Sequence, residues 1–147
     1  MPSVVRSALV SHPASQMYDL VCDVESYPAF LPWCDSAKVK EQSDSHQLAS
    51  VTIDRRMKGI SFTTRNTLVQ NESIEMKLVD GPFRKFGGIW RFKPLDETAC
   101  RVELSMDFEF QSRILGALLG PAFTKICDTM VAAFVKRAGE LQKGKPT

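Results

Sequence analysis

Phe123-Thr124-Lys125-Ile126-Cys127-Asp128-Thr129-Met130-Val131-Ala132-Ala133-Phe134-Val135-Lys136-Arg137-Ala138 is the stretch whose reading decides the fold. At about 100° per residue, Phe123, Ile126, Cys127, Met130, Phe134, Ala138 and then Leu141 share one side of a helix. Lys125, Asp128, Ala132, Lys136, Gly139, Glu140 and Lys143 share the other. An apolar stripe of that width has to be buried against another element. The helix extends back to Arg113, where Ser112 offers an N-cap hydroxyl, and Gly120-Pro121 predicts a break or kink near its start. Most of the preceding chain has a period of two, so the predicted partner is a sheet.

Working back from the helix, the clearest strand is Cys100, Val102, Leu104, Met106, Phe108 and Phe110 alternating with Arg101, Glu103, Ser105, Asp107 and Glu109. The same alternation appears at Phe86–Phe92, Ile74–Leu78, Ile60–Leu68, Ala49–Ile53 and Ala37–Lys40. One dry and one wet face is the pattern of antiparallel strands. Gln42 to His46 and Leu95 to Thr98 fit hairpin connections, and Asp80-Gly81-Pro82 is a turn signal. Gly87-Gly88 falls inside a strand and predicts a bulge. Before these, Ser3–Val10 reads as a first strand, and Ser11-His12-Pro13 opens a helix that runs to about Asp23. A second short helix is predicted over Ser26–Phe30, in a proline-bracketed stretch that carries Tyr27, Phe30, Leu31 and Trp33. The order is one strand, two short helices, about six strands and a long helix. A single antiparallel sheet with all its helices at one side is an α+β layout.

The bulk figures are consistent with one domain over 1–147, frayed after Leu141. The chain has 147 residues, 44% hydrophobic and 24% charged, with a net charge of +2. A near-neutral balance gives no global argument for nucleic acid, although a local basic surface is compatible with it. Cys22, Cys34, Cys100 and Cys127 have no metal-ligand spacing and read as buried free thiols of a reducing compartment. No signal peptide and no run of roughly 20 apolar residues is visible, which points to a cytoplasmic protein, at most peripheral to a membrane. His12 and His46 are the only histidines, and no nucleophile-base or metal constellation assembles around them. Catalysis is therefore not expected, and no metal or obligatory cofactor is implied.

Five blocks then carry a family resemblance. They are Tyr18-Asp19-Leu20-Val21-Cys22-Asp23-Val24-Glu25-Ser26-Tyr27-Pro28-Ala29-Phe30-Leu31-Pro32-Trp33-Cys34, Phe62-Thr63-Thr64-Arg65-Asn66, Leu78-Val79-Asp80-Gly81-Pro82-Phe83, Trp90-Arg91-Phe92-Lys93-Pro94-Leu95 and Asp107-Phe108-Glu109-Phe110. With Phe134 and Arg137-Ala138 they resemble the coenzyme Q-binding branch of the START-like (Bet v 1-like) helix-grip superfamily, over about Pro2 to Leu141. The resemblance implies a seven-stranded antiparallel sheet wrapped around the C-terminal helix, with a hydrophobic cavity between them. For mitochondrial members it implies ubiquinone binding and a part in respiration. For bacterial members it implies hindrance of ribosomal subunit association through the large subunit, in a pair with a small ubiquitin-like antitoxin.

The cavity expected from this combination is lined from the sheet by Phe62, Thr64, Asn66, Leu68, Met76, Leu78, Trp90, Phe92, Leu104, Met106 and Phe108. The helix would add Phe123, Ile126, Cys127, Met130 and Phe134, and the proline-bracketed stretch Phe30, Leu31 and Trp33, with Tyr27 to Trp33 either a gate over the mouth or a satellite cluster closing the sheet end. The plainer reading of the same residues is a solid core. Thr64 and Asn66, polar on the inward parity, would either bond a quinone carbonyl or pair with each other or a buried water. Arg137 falls in the apolar sector and is expected to find a carboxylate or reach water. Lys38, Lys40, Arg55, Arg56, Lys58, Arg84, Lys85 and Arg91 are candidates for meeting ribosomal RNA phosphates, against the ordinary reading of a solvated face. A polyketide cyclase or aromatase activity would need titratable groups inside the cavity, and the inward positions offer almost none.

Overall fold

A computed structural model describes residues 3–53 and 60–143 of the chain. Strand β1, Ser3–Val10, leads into helix α1, Ala14–Cys22, and a 3-10 helix, Val24–Ala29. Strands β2 (Cys34–Gln42), β3 (His46–Ile53), β4 (Ser61–Val69), β5 (Ser73–Asp80), β6 (Phe83–Asp96) and β7 (Ala99–Phe110) follow, and helix α2, Arg113–Lys143, closes the order. The seven strands form one sheet in the order β1-β7-β6-β5-β4-β3-β2, with every pair antiparallel. Only β1 crosses over: it joins the far edge beside β7, so the β2–β7 meander curls round α2. This is the α+β helix-grip layout expected from the sequence, with both short helices after β1.

Alternation decides which face is dry. Cys100, Val102, Leu104, Met106, Phe108 and Phe110 on β7 are all buried, while Arg101, Asp107 and their row-mates face out. Against that face lie Leu119, Phe123, Ile126, Cys127, Val131, Phe134 and Ala138 of α2, all buried. The side chain of Ser112 caps α2, its hydroxyl oxygen accepting from the Leu115 N–H at 3.1 Å. Arg6 on β1 ties the sheet edge to the helix through Asp128 at 2.5 Å. The turn between β5 and β6 uses Gly81 at φ +155, where a Cβ would meet Phe62 Cβ at 2.7 Å.

Three expectations are corrected. The helix is unbroken through Pro121, because Pro121 and Ala117 both lie on the exposed side, where water can take the carbonyl that proline's missing N–H leaves free. The register shifts of β6 fall at Phe83/Lys85 and Pro94/Asp96, so Gly87-Gly88 is not a bulge. Gly88 is instead a close-approach position: a Cβ there would meet the Ser105 carbonyl at 2.9 Å, and Met106 and Met76 at 3.1 Å. Finally, Arg113–Leu141 is long and apolar enough, by length and composition alone, to cross a membrane. In the fold it is the helix the sheet grips. Its apolar content divides between the buried stripe and an exposed start, where Ile114 is 80% and Leu118 62% exposed.

Candidate functional site

The hollow between sheet and helix is filled unevenly. At the β6–β7 end it is solid: the rings of Phe83, Phe86, Phe108 and Phe110 cluster round Phe123 of α2, with Phe108 and Phe123 edge to face at 4.7 Å between centroids. Toward β3 and β4 the side chains shorten, and a cavity of about 60 Å³ remains. Its walls are Val24 and Tyr27 of the 3-10 helix, Trp33, Ala49 and Val51 of β3, Phe62, Thr64 and Asn66 of β4, Met76 of β5, Phe86 and Trp90 of β6, Met106 of β7, and Phe123, Ile126 and Met130 of α2.

Of the residues expected from the sequence, the fold brings Trp33, Phe62, Thr64, Asn66, Met76, Trp90, Met106, Phe123, Ile126 and Met130 to this cavity. Phe30, Leu31, Leu68, Leu78, Phe92, Leu104, Phe108, Cys127 and Phe134 do not line it. They have the right parity, but lie where neighbouring side chains already fill the space. Phe134, for example, stands edge to face with Tyr27, Phe30 and Trp90 at 5.2–5.3 Å. Thus the proline-bracketed stretch divides its roles: Tyr27 and Trp33 face the cavity, while Phe30 and the buried Leu31 pack the far end. Val24, Ala49, Val51 and Phe86 were not expected at the cavity. Alternation along β3 and β6 already put the last three on the inner face.

One wall is polar, and its hydrogen bonds form a chain. The Thr64 hydroxyl donates to Asn66 Oδ1 at 2.8 Å, and Asn66 Nδ2 donates to Gln47 Oε1 at 2.8 Å. Gln47 Nε2 then donates to the Cys22 carbonyl at 2.8 Å and to Gln42 Oε1 at 3.0 Å. Thr64, Asn66 and Gln47 are all buried, so each bond is made in a medium where an unmade one is expensive. The expectation that Thr64 and Asn66 pair is met, and Gln47 is the member the sequence reading missed. Above them the Tyr27 hydroxyl donates to the Val21 carbonyl at 2.5 Å, and burial pushes its phenol pKa up.

Among the described residues no carboxylate, imidazole, lysine or arginine lines the cavity. Burial pushes the Cys127 thiol up to about 12 and the Cys34 thiol to about 11, far from the range of a nucleophilic thiolate. Among the described residues no group of three or more potential metal ligands occurs. His12 is buried at the start of α1, and His46 Nδ1 lies 2.9 Å from Ser45 Oγ at the start of β3. Arg137 has no ion-pair partner among the described residues. Its guanidinium lies over the Phe30 ring, 5.3 Å from the centroid, and the residue is partly exposed, so of the two expected partners, carboxylate or water, the described residues supply no carboxylate.

The described basic candidates fall on different strands. Lys38 and Lys40 are exposed on the edge strand β2, while Arg84 and Lys85 are exposed on β6. Three strands separate β2 from β6, so the groups lie about 19 Å apart across the sheet. Arg84 is also engaged by Glu109 at 3.5 Å. Arg91 is exposed on β6, and Arg55, Arg56 and Lys58 lie outside the described residues.

A Vibrio cholerae serotype O1 protein named ribosome association toxin RatA is 48% identical over 141 residues, covering 96% of this chain and 98% of its own. A Xenopus laevis protein named mitochondrial coenzyme Q-binding protein COQ10 homolog B is 27% identical over 140 residues, covering 92% of this chain and 57% of its own. The solution structure of an 18 kDa protein from Caulobacter crescentus superposes with a TM-score of 0.75 at 28% identity, over 98% of this chain and 100% of that one. Residues 10–135 match the model of the polyketide cyclase/dehydrase and lipid transport family, and the chain belongs to that family.

Proposed function

We propose that this protein binds the large ribosomal subunit and hinders its joining to the small one, by surface contact and without catalysis. The observation that carries this reading is the near full-length, 48% identity to a protein named as a ribosome association toxin. The cavity lining agrees with a non-catalytic role, since acid-base or nucleophilic work needs groups that it does not hold. Two separated basic groups, Lys38 with Lys40 and Arg84 with Lys85, are the described cations proposed to meet RNA phosphates. The test is a sucrose-gradient profile after overexpression. Accumulated free subunits with co-sedimentation of the protein on the large one support the reading; unchanged subunit and monosome peaks refute it. A small ubiquitin-like antitoxin belongs to the same proposal, and co-expression with it should restore the monosome peak.

The cavity supports a second role in the same molecule, the holding of a hydrophobic ring compound such as ubiquinone. It is mainly apolar, and three of its walls are the flexible side chains Met76, Met106 and Met130. A cavity of roughly 150 Å³ is what admits a benzene-sized ring. The gap of about 60 Å³ therefore has to widen, and methionine rotamers are the cheapest walls to move. A prenyl tail would add about 0.8 kcal/mol per buried CH₂. Organic extraction of the purified protein followed by mass spectrometry tests this; a protein that is reproducibly empty and takes up no added quinone refutes it.

A further inference from the structure

The polar wall of the cavity has a direction, and two backbone carbonyls set it. A carbonyl can only accept, so the Cys22 carbonyl fixes Gln47 with its Nε2 toward α1. The Gln42 amide, itself turned by Nε2 donating to the Ser43 carbonyl at 3.2 Å, offers Gln47 a second acceptor and confirms that orientation. Gln47 Oε1 is therefore the atom that faces Asn66, which can answer only with Nδ2. Asn66 Oδ1 is then left for Thr64, whose hydroxyl has to donate. The single hydrogen on Thr64 Oγ1 is thus spent within the wall, and the atom turns lone pairs to any further partner.

We propose that the cavity prefers a ring bearing a free hydroxyl, a phenol or hydroquinone, over the matching carbonyl compound, and that Gln47, which does not line the cavity, is the positioning residue that sets this preference. The proposal rests on the reading of the cavity as a ligand site and names the chemical form it takes. Asn66 keeps one N–H beyond the bond to Gln47, and either a hydroxyl or a carbonyl oxygen can accept it. Only a hydroxyl has a hydrogen to return to Thr64. A carbonyl would set its lone pairs against those of Thr64 and leave a buried acceptor unmet. Reversing the preference would require Thr64 to turn its hydrogen outward, which strands Asn66 Oδ1 and then obliges the chain to flip against Cys22 and Ser43.

The test uses the full chain and three probes with one ring: ubiquinone with a single isoprene unit, its dithionite-reduced quinol kept anaerobic, and the quinol dimethyl ether. Trp33 and Trp90, the chain's two tryptophans, both line the cavity and report binding by fluorescence. The quinol should bind about tenfold more tightly than the quinone or the ether, the worth of one buried hydrogen bond. Thr64→Ser should keep that ratio, and Thr64→Val should bring it to within about twofold. Gln47→Leu frees Asn66 to turn and should also collapse the ratio, even where affinity for the ring itself survives; a merely structural role would lower both affinities together. Equal binding of quinol and quinone by the native chain, or a preference that persists in Thr64→Val, overturns the hydroxyl preference and leaves the ligand site standing. Binding of none of the three overturns the ligand site and the preference with it.

Discussion

The two ends of the hollow under the sheet obey one alternation rule and end up different. At the β6–β7 end, Phe83, Phe86, Phe108 and Phe110 crowd round Phe123, and of these rings only Phe86 and Phe123 also wall the cavity. At the β3–β4 end the inward positions are Ala49, Val51, Thr64 and Asn66, and a cavity of about 60 Å³ remains. Dryness follows from parity, but fullness follows from side-chain volume. A helix-grip fold is anchored where its rings interlock, and it can take a guest where its residues are short, polar or methionine.

If that division is real, the largest response comes from emptying the solid end. Phe108 is fully buried and edge-on to Phe123. Phe108→Ala should cost about 3–5 kcal/mol in urea unfolding, with the slope against denaturant unchanged. A cost under about 1 kcal/mol would show that this end is not the anchor. Next in size is the alkaline limb of stability. Cys127 on α2 is raised from 9.0 to about 12, with burial the main cause and nearby Asp128 adding to it, and Tyr18 from 10.0 to about 12, again by burial. A group whose pKa is raised in the fold keeps its acid favoured there. Its contribution is whole below the unfolded pKa and is lost as pH climbs through the folded one. Stability should therefore hold up to about pH 9 and fall by a few kcal/mol toward pH 12. Cys127→Ala should flatten that limb, as read from melts across the range.

Much of this division was legible in the sequence, and the remainder was not for reasons of volume and partners. Each strand's inward row can be read from alternation, and the Ser112 cap and the α2 stripe from helical spacing, because both are local. Phe92, Leu104 and Phe134 were expected at the cavity because parity gives direction and says nothing of how much neighbours fill. Gln47 shares the inward parity of Ala49 and Val51, so its burial was readable. Its role was not, since the acceptor that orients it, the Cys22 carbonyl, is 25 residues away. Pro121 misled in the opposite sense: the helix runs on through it, and the Ala117 carbonyl that loses its partner is on the exposed side, where water can take it.

A smaller effect separates container from core. Ala49 is buried on the cavity wall. Ala49→Val places two more carbons into empty space, so stability should shift by less than about 1 kcal/mol. Uptake of the one-isoprene quinone or its quinol should weaken at least tenfold, as measured by fluorescence titration. Loss of stability comparable to an overpacked core, about 1–3 kcal/mol, would mean the gap is an accident of close packing.

The smallest effect belongs to the start of α2, which marks where the grip ends. Ile114 and Leu118 are 80% and 62% exposed, and four residues apart they stand on one face. Full burial on the helix begins at Leu119, one turn after Leu115, which is half-buried against the core. Replacing an exposed apolar side chain removes little buried area, so Ile114→Ser with Leu118→Ser should change unfolding free energy by under about 0.5 kcal/mol each. The same double change at Phe123 and Ile126 would delete two walls of the hollow. If the exposed pair proves as costly as the buried one, the grip begins a full turn earlier than the packing shows, and the first residues of α2 belong with the solid end.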